Sequence, residues 1–69
     1  MDTAEKIQFL KSHKGSSVKF IRGFGEEVWG LIMKVHEDGE DTMCTIMDIY
    51  EGVERTLSLA EITEMSADK

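Results

Sequence analysis

The 69-residue chain has no proline, no asparagine, one cysteine and one tryptophan. A lone Cys44 makes neither an internal disulfide nor a cysteine-rich zinc site, so no covalent or metal staple supports the fold. Without asparagine there is no acceptor for N-glycosylation. No apolar run approaches the ~18 residues a membrane span needs, and the first residues are too polar for a secretory leader. A cytoplasmic protein with no membrane partner is expected. Cations are scarce too: eight Lys and Arg stand against fourteen Asp and Glu, a net charge of −6. What is present suits a folded domain. Hydrophobic residues make up 41% and charged residues 32%, too apolar for a disordered tail. The length allows a single small domain over residues 1–69, with a thin core.

The first segment reads as a helix over residues 3–14. Asp2 or Thr3 can cap it, and Glu5 lies where a capping box needs it. Ile7, Phe9 and Leu10 supply its apolar side, Lys11, His13 and Lys14 crowd its last turn, and Gly15 suits its end. The period then shortens to two. Val18 and Phe20 alternate with Lys19 and Ile21, predicting a strand over 17–22, and Gly23 to Glu27 form a turn. A long apolar strand follows over 27–36, and Gly30 in its middle predicts a bend or bulge there. Val28, Gly30 and Ile32 share one face of it; Trp29, Leu31, Met33 and Val35 share the other. Further strands are expected over 42–50, 53–59 and 62–65, with turns at Glu37 to Asp41 and at Glu51-Gly52, and fraying from Ser66 onward. Leu59 to Ile62 suits a single tight helical turn, and Arg55 shares the apolar parity of its strand.

The expected fold is therefore mainly β: a small five-stranded, partly open antiparallel β-barrel with one N-terminal α-helix. A sheet of this size buries one face only by curling on itself.

This order of elements resembles the Sm-like and SH3-like small barrels. From Arg55 to Ser66 the run Arg-Thr-Leu-Ser-Leu-Ala-Glu-Ile-Thr-Glu-Met-Ser is similar to the last strand pair of the small, acidic Sm-like proteins that inhibit the Rho transcription terminator. That resemblance implies a protein partner in transcription regulation or nucleic-acid handling. It also leaves open a monomer or an Sm-like ring. RNA-binding Sm proteins use an asparagine and a late Arg-Gly step, whereas this chain lacks asparagine and has its Arg22-Gly23 near the first strand.

Charge is divided along the chain. Residues 1–35 carry six basic and four acidic side chains, net +2; residues 36–69 carry two basic and ten acidic, net −8. Phosphate backbones are bound by Lys and Arg, so the acidic half favours a basic protein surface, whose opposite field steers association. An acidic exterior also serves solubility alone. The candidate protein-binding residues are Glu37, Asp38, Glu40, Asp41, Asp48, Glu51 and Glu54 for the field, with Phe24, Trp29 and Tyr50 as anchors. The alternative is weak RNA or DNA binding, with Lys6, Lys11, Lys14, Lys19 and Arg22 on phosphates and Phe20 or Phe24 stacking on bases. The Trp29 face either covers the helix or meets a partner.

No chemistry of an enzyme is expected. Glycines 23, 25 and 30 miss the dinucleotide-binding spacing, and a strand follows them instead of a helix. The loop from Glu37 to Asp41 lacks the spacing of a calcium-binding EF-hand. Cys44 lies in an apolar strand, which reads as a small buried hydrophobe. His13 and His36 have no ligand-spaced companion, so neither cofactor nor metal is expected.

Overall fold

In the computed structural model, which describes residues 2–38 and 41–67, a helix precedes one antiparallel sheet. Among the described residues the elements are α1 (Thr3–Ser12), β1 (Ser17–Arg22), β2 (Glu26–Asp38), β3 (Asp41–Asp48), β4 (Glu54–Ser58), a 3-10 turn (Leu59–Glu61) and β5 (Ile62–Ala67).

The helix starts where the capping box places it. Glu5 donates its backbone N–H to Asp2 Oδ1 (2.8 Å), and Asp2 donates its own to Glu5 Oε1 (3.1 Å), so two orphan donors are satisfied. It stops at Ser12, earlier than residue 14, because His13 closes the last turn through Phe9. The His13 ring also donates from Nδ1 to the Phe9 carbonyl (2.9 Å) and stacks on the Phe9 ring. Gly15, at φ +85°, turns the chain and donates its N–H to the carbonyl of Ile32.

The strands lie in the order β4-β3-β2-β1-β5. The outermost pair, β4 and β5, are joined by only three residues, Leu59–Glu61. Four Cα steps span at most about 15 Å, whereas the edges of a flat five-stranded sheet lie about 19 Å apart. The sheet therefore curls, and its inner face closes over one core. That core takes Leu10 from α1, Val18 and Phe20 from β1, and Val28 and Ile32 from β2. Cys44 and Ile46 come from β3, Leu57 from β4, Leu59 from the 3-10 turn, and Ile62 and Met65 from β5. Ile7 and Phe9 pack against it from the helix, so α1 covers the inner face and not the Trp29 face.

Two expectations about β2 change. Gly30 is not the bulge: β2 runs unbroken past it, paired with Val18 and Asp48. Its missing side chain is a matter of space, since a Cβ there would lie 2.7 Å from Ile46 Cδ1 and 2.9 Å from the Met47 carbonyl oxygen. The register slips at Met33 instead, between the pairs Ile32–Ile46 and Lys34–Thr45. One extra residue reverses the side-chain alternation, so Val35 faces inward opposite Cys44 and packs on the core. The other boundaries move by one or two residues. β3 ends at Asp48, because Ile49 and Tyr50 belong to the following turn, and β5 continues to Ala67 by pairing with β1, so Ser66 does not fray.

Gly30→Ala is expected to lower stability by about 1–3 kcal/mol, the usual scale of overpacking. Adding Ile46→Val removes one of the crowded carbons, so the double variant should lose less than the sum of the singles in urea unfolding.

Candidate protein-binding surface

With α1 on the inner face, no element among the described residues covers the outer face of β1 to β3. Its cross-strand rows follow from the register: Trp29 beside Lys19, Leu31 beside Met47, and His36 beside Met43. Trp29, Leu31, Met43 and Met47 are half-buried and Met33 is exposed. Carboxylates border this apolar strip: Glu27 and Glu64 flank Ile21, and Glu54 pairs with Met47. Lys19 Nζ lies 5.8 Å from the centre of the Trp29 ring, a cation–π distance. His36 Nε2 lies 3.0 Å from Thr45 Oγ1.

One end of the sheet gathers the aromatic residues. The β1–β2 turn sets Gly23 at φ +56° and Gly25 at φ +91° on either side of Phe24, a conformation that side chains other than glycine resist. Gly23 donates to the Glu61 carbonyl and Gly25 to that of Arg22, so the tip is tied to the 3-10 turn. Phe24 itself is fully exposed. Tyr50, 77% exposed, projects from the β3–β4 turn at the same end.

Asp48 organises that second turn. Its Oδ1 accepts the backbone N–H groups of Tyr50 (2.9 Å) and Glu51 (3.0 Å), and its Oδ2 accepts from Arg55 Nε (2.8 Å). Arg55 Nη2 also reaches Glu51 at 3.3 Å. This explains the inward parity of Arg55, which stands opposite Ile46 and would be an unpaired cation at the core margin without these acids. The Arg55 hydrogen bond, followed by that from the Glu51 N–H, holds the Asp48 carboxyl below its ordinary value. Nearby, Arg22 Nε pairs with Glu26 Oε1 at 2.6 Å.

Two hollows meet on this end. One is lined by Phe24, Glu26, Glu61 and Arg22. The other, about 210 Å³, is lined by Trp29, Tyr50, Glu27, Asp48, Glu51 and both arginines, among others. Arg22 and Glu26 border both, so the hollow beside Phe24 adjoins the one that Trp29 and Tyr50 line.

The acidic residues singled out in the sequence do not share it. Glu37 lies at the far end of β2 and is ion-paired with Lys11. Glu40 and the side chains of Asp38 and Asp41 lie outside the described residues. Asp48 is almost buried and engaged internally, so it serves the turn more than the exterior field. Glu51 sits at the aromatic end, and Glu54 lies exposed along the strip. Sequence reasoning missed Glu26, Glu27, Glu61 and Glu64 as members of this surface. For Glu27 a signal existed, since it shares the parity of Trp29.

The alternative nucleic-acid set is scattered. Phe20 is fully buried in the core and cannot stack on a base, which corrects that expectation. Lys6 donates to the Leu59 carbonyl (2.9 Å), Lys11 pairs with Glu37, Arg22 with Glu26, and Lys19 lies over Trp29. Lys14 stands exposed beyond the helix end. Cys44 is buried, and burial pushes its thiol up to about 11, far from the thiolate a nucleophile needs. Among the described residues no three His, Cys, Asp or Glu side chains converge on a metal-sized site, and no helix is long and apolar enough to cross a membrane.

Asp48→Asn keeps an acceptor for the turn N–H groups but removes the charge opposite Arg55. Because the folded carboxyl titrates below the ordinary value of 3.8, its stabilisation is complete above that pH and fades as acid protonates the folded state. The variant should be less stable than the parent at pH 7, and the gap in urea midpoints should narrow progressively as pH falls below about 4. No family model, curated protein or solved structure matches the chain.

Proposed function

We propose that the chain is a non-enzymatic interaction module, an acidic small barrel of the Sm-like/SH3-like kind that binds a basic surface of a larger cytoplasmic protein and modulates it. The barrel reading is supported by the strand order, the slip in β2 at Met33 and the three-residue link between the outermost strands. The observation that carries the function is the meeting of Phe24, Trp29 and Tyr50 on one carboxylate-lined end of the sheet. Phe24 fills no core position. Burying such a ring against a partner returns about 1.5–3 kcal/mol that folding leaves unused, and aromatic anchors dominate interface energetics. Glu61 beside it, Glu27 and Glu51 in the adjoining hollow, and the net charge of −6 favour cationic partners and speed their approach.

The likeness of Arg55 to Ser66 to Rho inhibitors makes the Rho terminator the first partner to test. Calorimetric titration with purified Rho should give binding that weakens as salt rises. Phe24→Ala should weaken it at least fivefold while leaving unfolding within about 0.5 kcal/mol of the parent, as expected for a surface change. Reversing Glu27 and Glu51 to lysine should weaken it further than reversing Glu37 at the far tip. Binding indifferent to salt and to all three reversals would overturn the electrostatic reading.

A further inference from the structure

We propose that the hollow between Trp29 and Tyr50 receives an arginine side chain of the partner, an inference that rests on the basic-partner reading above. Its volume of about 210 Å³ is well above the ~10–15 Å³ that one water molecule needs, which leaves room for a side-chain end group.

Its walls suit a planar cation. The Trp29 ring already carries Lys19 Nζ at 5.8 Å, so the fold itself uses this ring as a seat for positive charge. Tyr50, which also lines the hollow, is 77% exposed and has no place in the core. Its backbone is fixed all the same: its N–H and that of Glu51 are held by Asp48, and Gly52 (φ +69°) donates to the Asp48 carbonyl. A turn already ordered loses little entropy when a ligand settles on it.

The charge balance selects the sign. The two guanidiniums that line the hollow are matched inside it, Arg22 by Glu26 and Arg55 by Asp48 and Glu51. Four lining carboxylates against two lining cations, with Lys19 over the Trp29 ring as a third, leave a surplus of one negative charge. Among the described residues Glu27 has no ion-pair partner. An anionic side chain would be repelled, and an apolar one would strip water from carboxylates and return no hydrogen bond. Arginine answers both needs, since its flat guanidinium stacks on aromatic rings and donates in a fork to a carboxylate, which the compact ammonium of lysine does less well. With Phe24 reaching from the adjoining hollow, the matching partner surface carries an exposed arginine next to an apolar recess.

The test uses the intact chain and capped peptides Ac-Gly-Arg-Gly-Arg-Gly-amide, its lysine counterpart and its glutamate counterpart. Trp29, the sole tryptophan, reports occupancy by its emission, and amide NMR shifts locate it. The arginine peptide should give a saturable change centred on Trp29, Tyr50 and Glu51, with the lysine peptide weaker and the glutamate peptide silent. Tyr50→Ala and Glu27→Gln should each weaken the arginine peptide about threefold or more, the scale of one exposed cation–π or ionic contact, with unchanged circular dichroism. Glu37→Gln should have no effect. Absence of saturation up to millimolar peptide, shifts confined to the β2–β3 tip, or equal affinity in Tyr50→Ala would overturn the proposal. If a protein partner binds with full salt dependence yet tolerates Tyr50→Ala and Glu27→Gln, the hollow is wrong and the basic-partner reading stands. If that salt dependence is itself absent, the reading beneath it fails.

Discussion

Three residues, Leu59 to Glu61, connect the two strands that stand furthest apart in the sheet. A link so short cannot cross a flat sheet, so the strands must roll until their edges approach, and the rest follows from that roll. The inner face becomes a core small enough for Phe20, Ile32, Ile46 and Leu57 to fill, with Leu10 of the helix completing it. Lys6 reinforces the joint by donating to the Leu59 carbonyl, and Gly23 does so from the other side through Glu61.

A rolled sheet this thin has one interior. Strand β2, apolar on both faces over its first half, can place only Val28, Gly30 and Ile32 in it, and Gly30 fits because Ile46 occupies the room a side chain would need. Trp29, Leu31 and Met33 are left on the outside by geometry alone, and the helix, engaged with the core, does not shield them. The slip at Met33 limits the strip by returning Val35 to the core.

The charges obey a similar economy. Several of the ions that the sequence offers to a partner are consumed within the molecule: Asp48 with Arg55, Lys11 with Glu37, Arg22 with Glu26. The exposed pairs contribute little stability, yet they cancel cations locally, and the dispersed basic set is thereby a poor footprint for phosphate. Among the described residues, Glu27 and Glu61 have no ion-pair partner and line the hollows that also hold Trp29, Tyr50 and Phe24.

Local signals in the sequence were enough for the elements. The Asp2–Glu5 box, the glycines that permit positive φ at 15, 23, 25 and 52, and the two-residue alternation of Val18, Phe20 and Leu57 are all read within a few residues, because they express backbone preference and side-chain period. The curl too could be anticipated, since five strands in so short a chain have no other way to bury a face. The inward turn of Val35, the role of Arg55 against Asp48, and the convergence of Phe24, Trp29 and Tyr50 away from the tip at Glu37 were not legible. Those depend on strand register and on which ends of the strands meet. Register is a relation between residues far apart in sequence, and only the packed sheet fixes it.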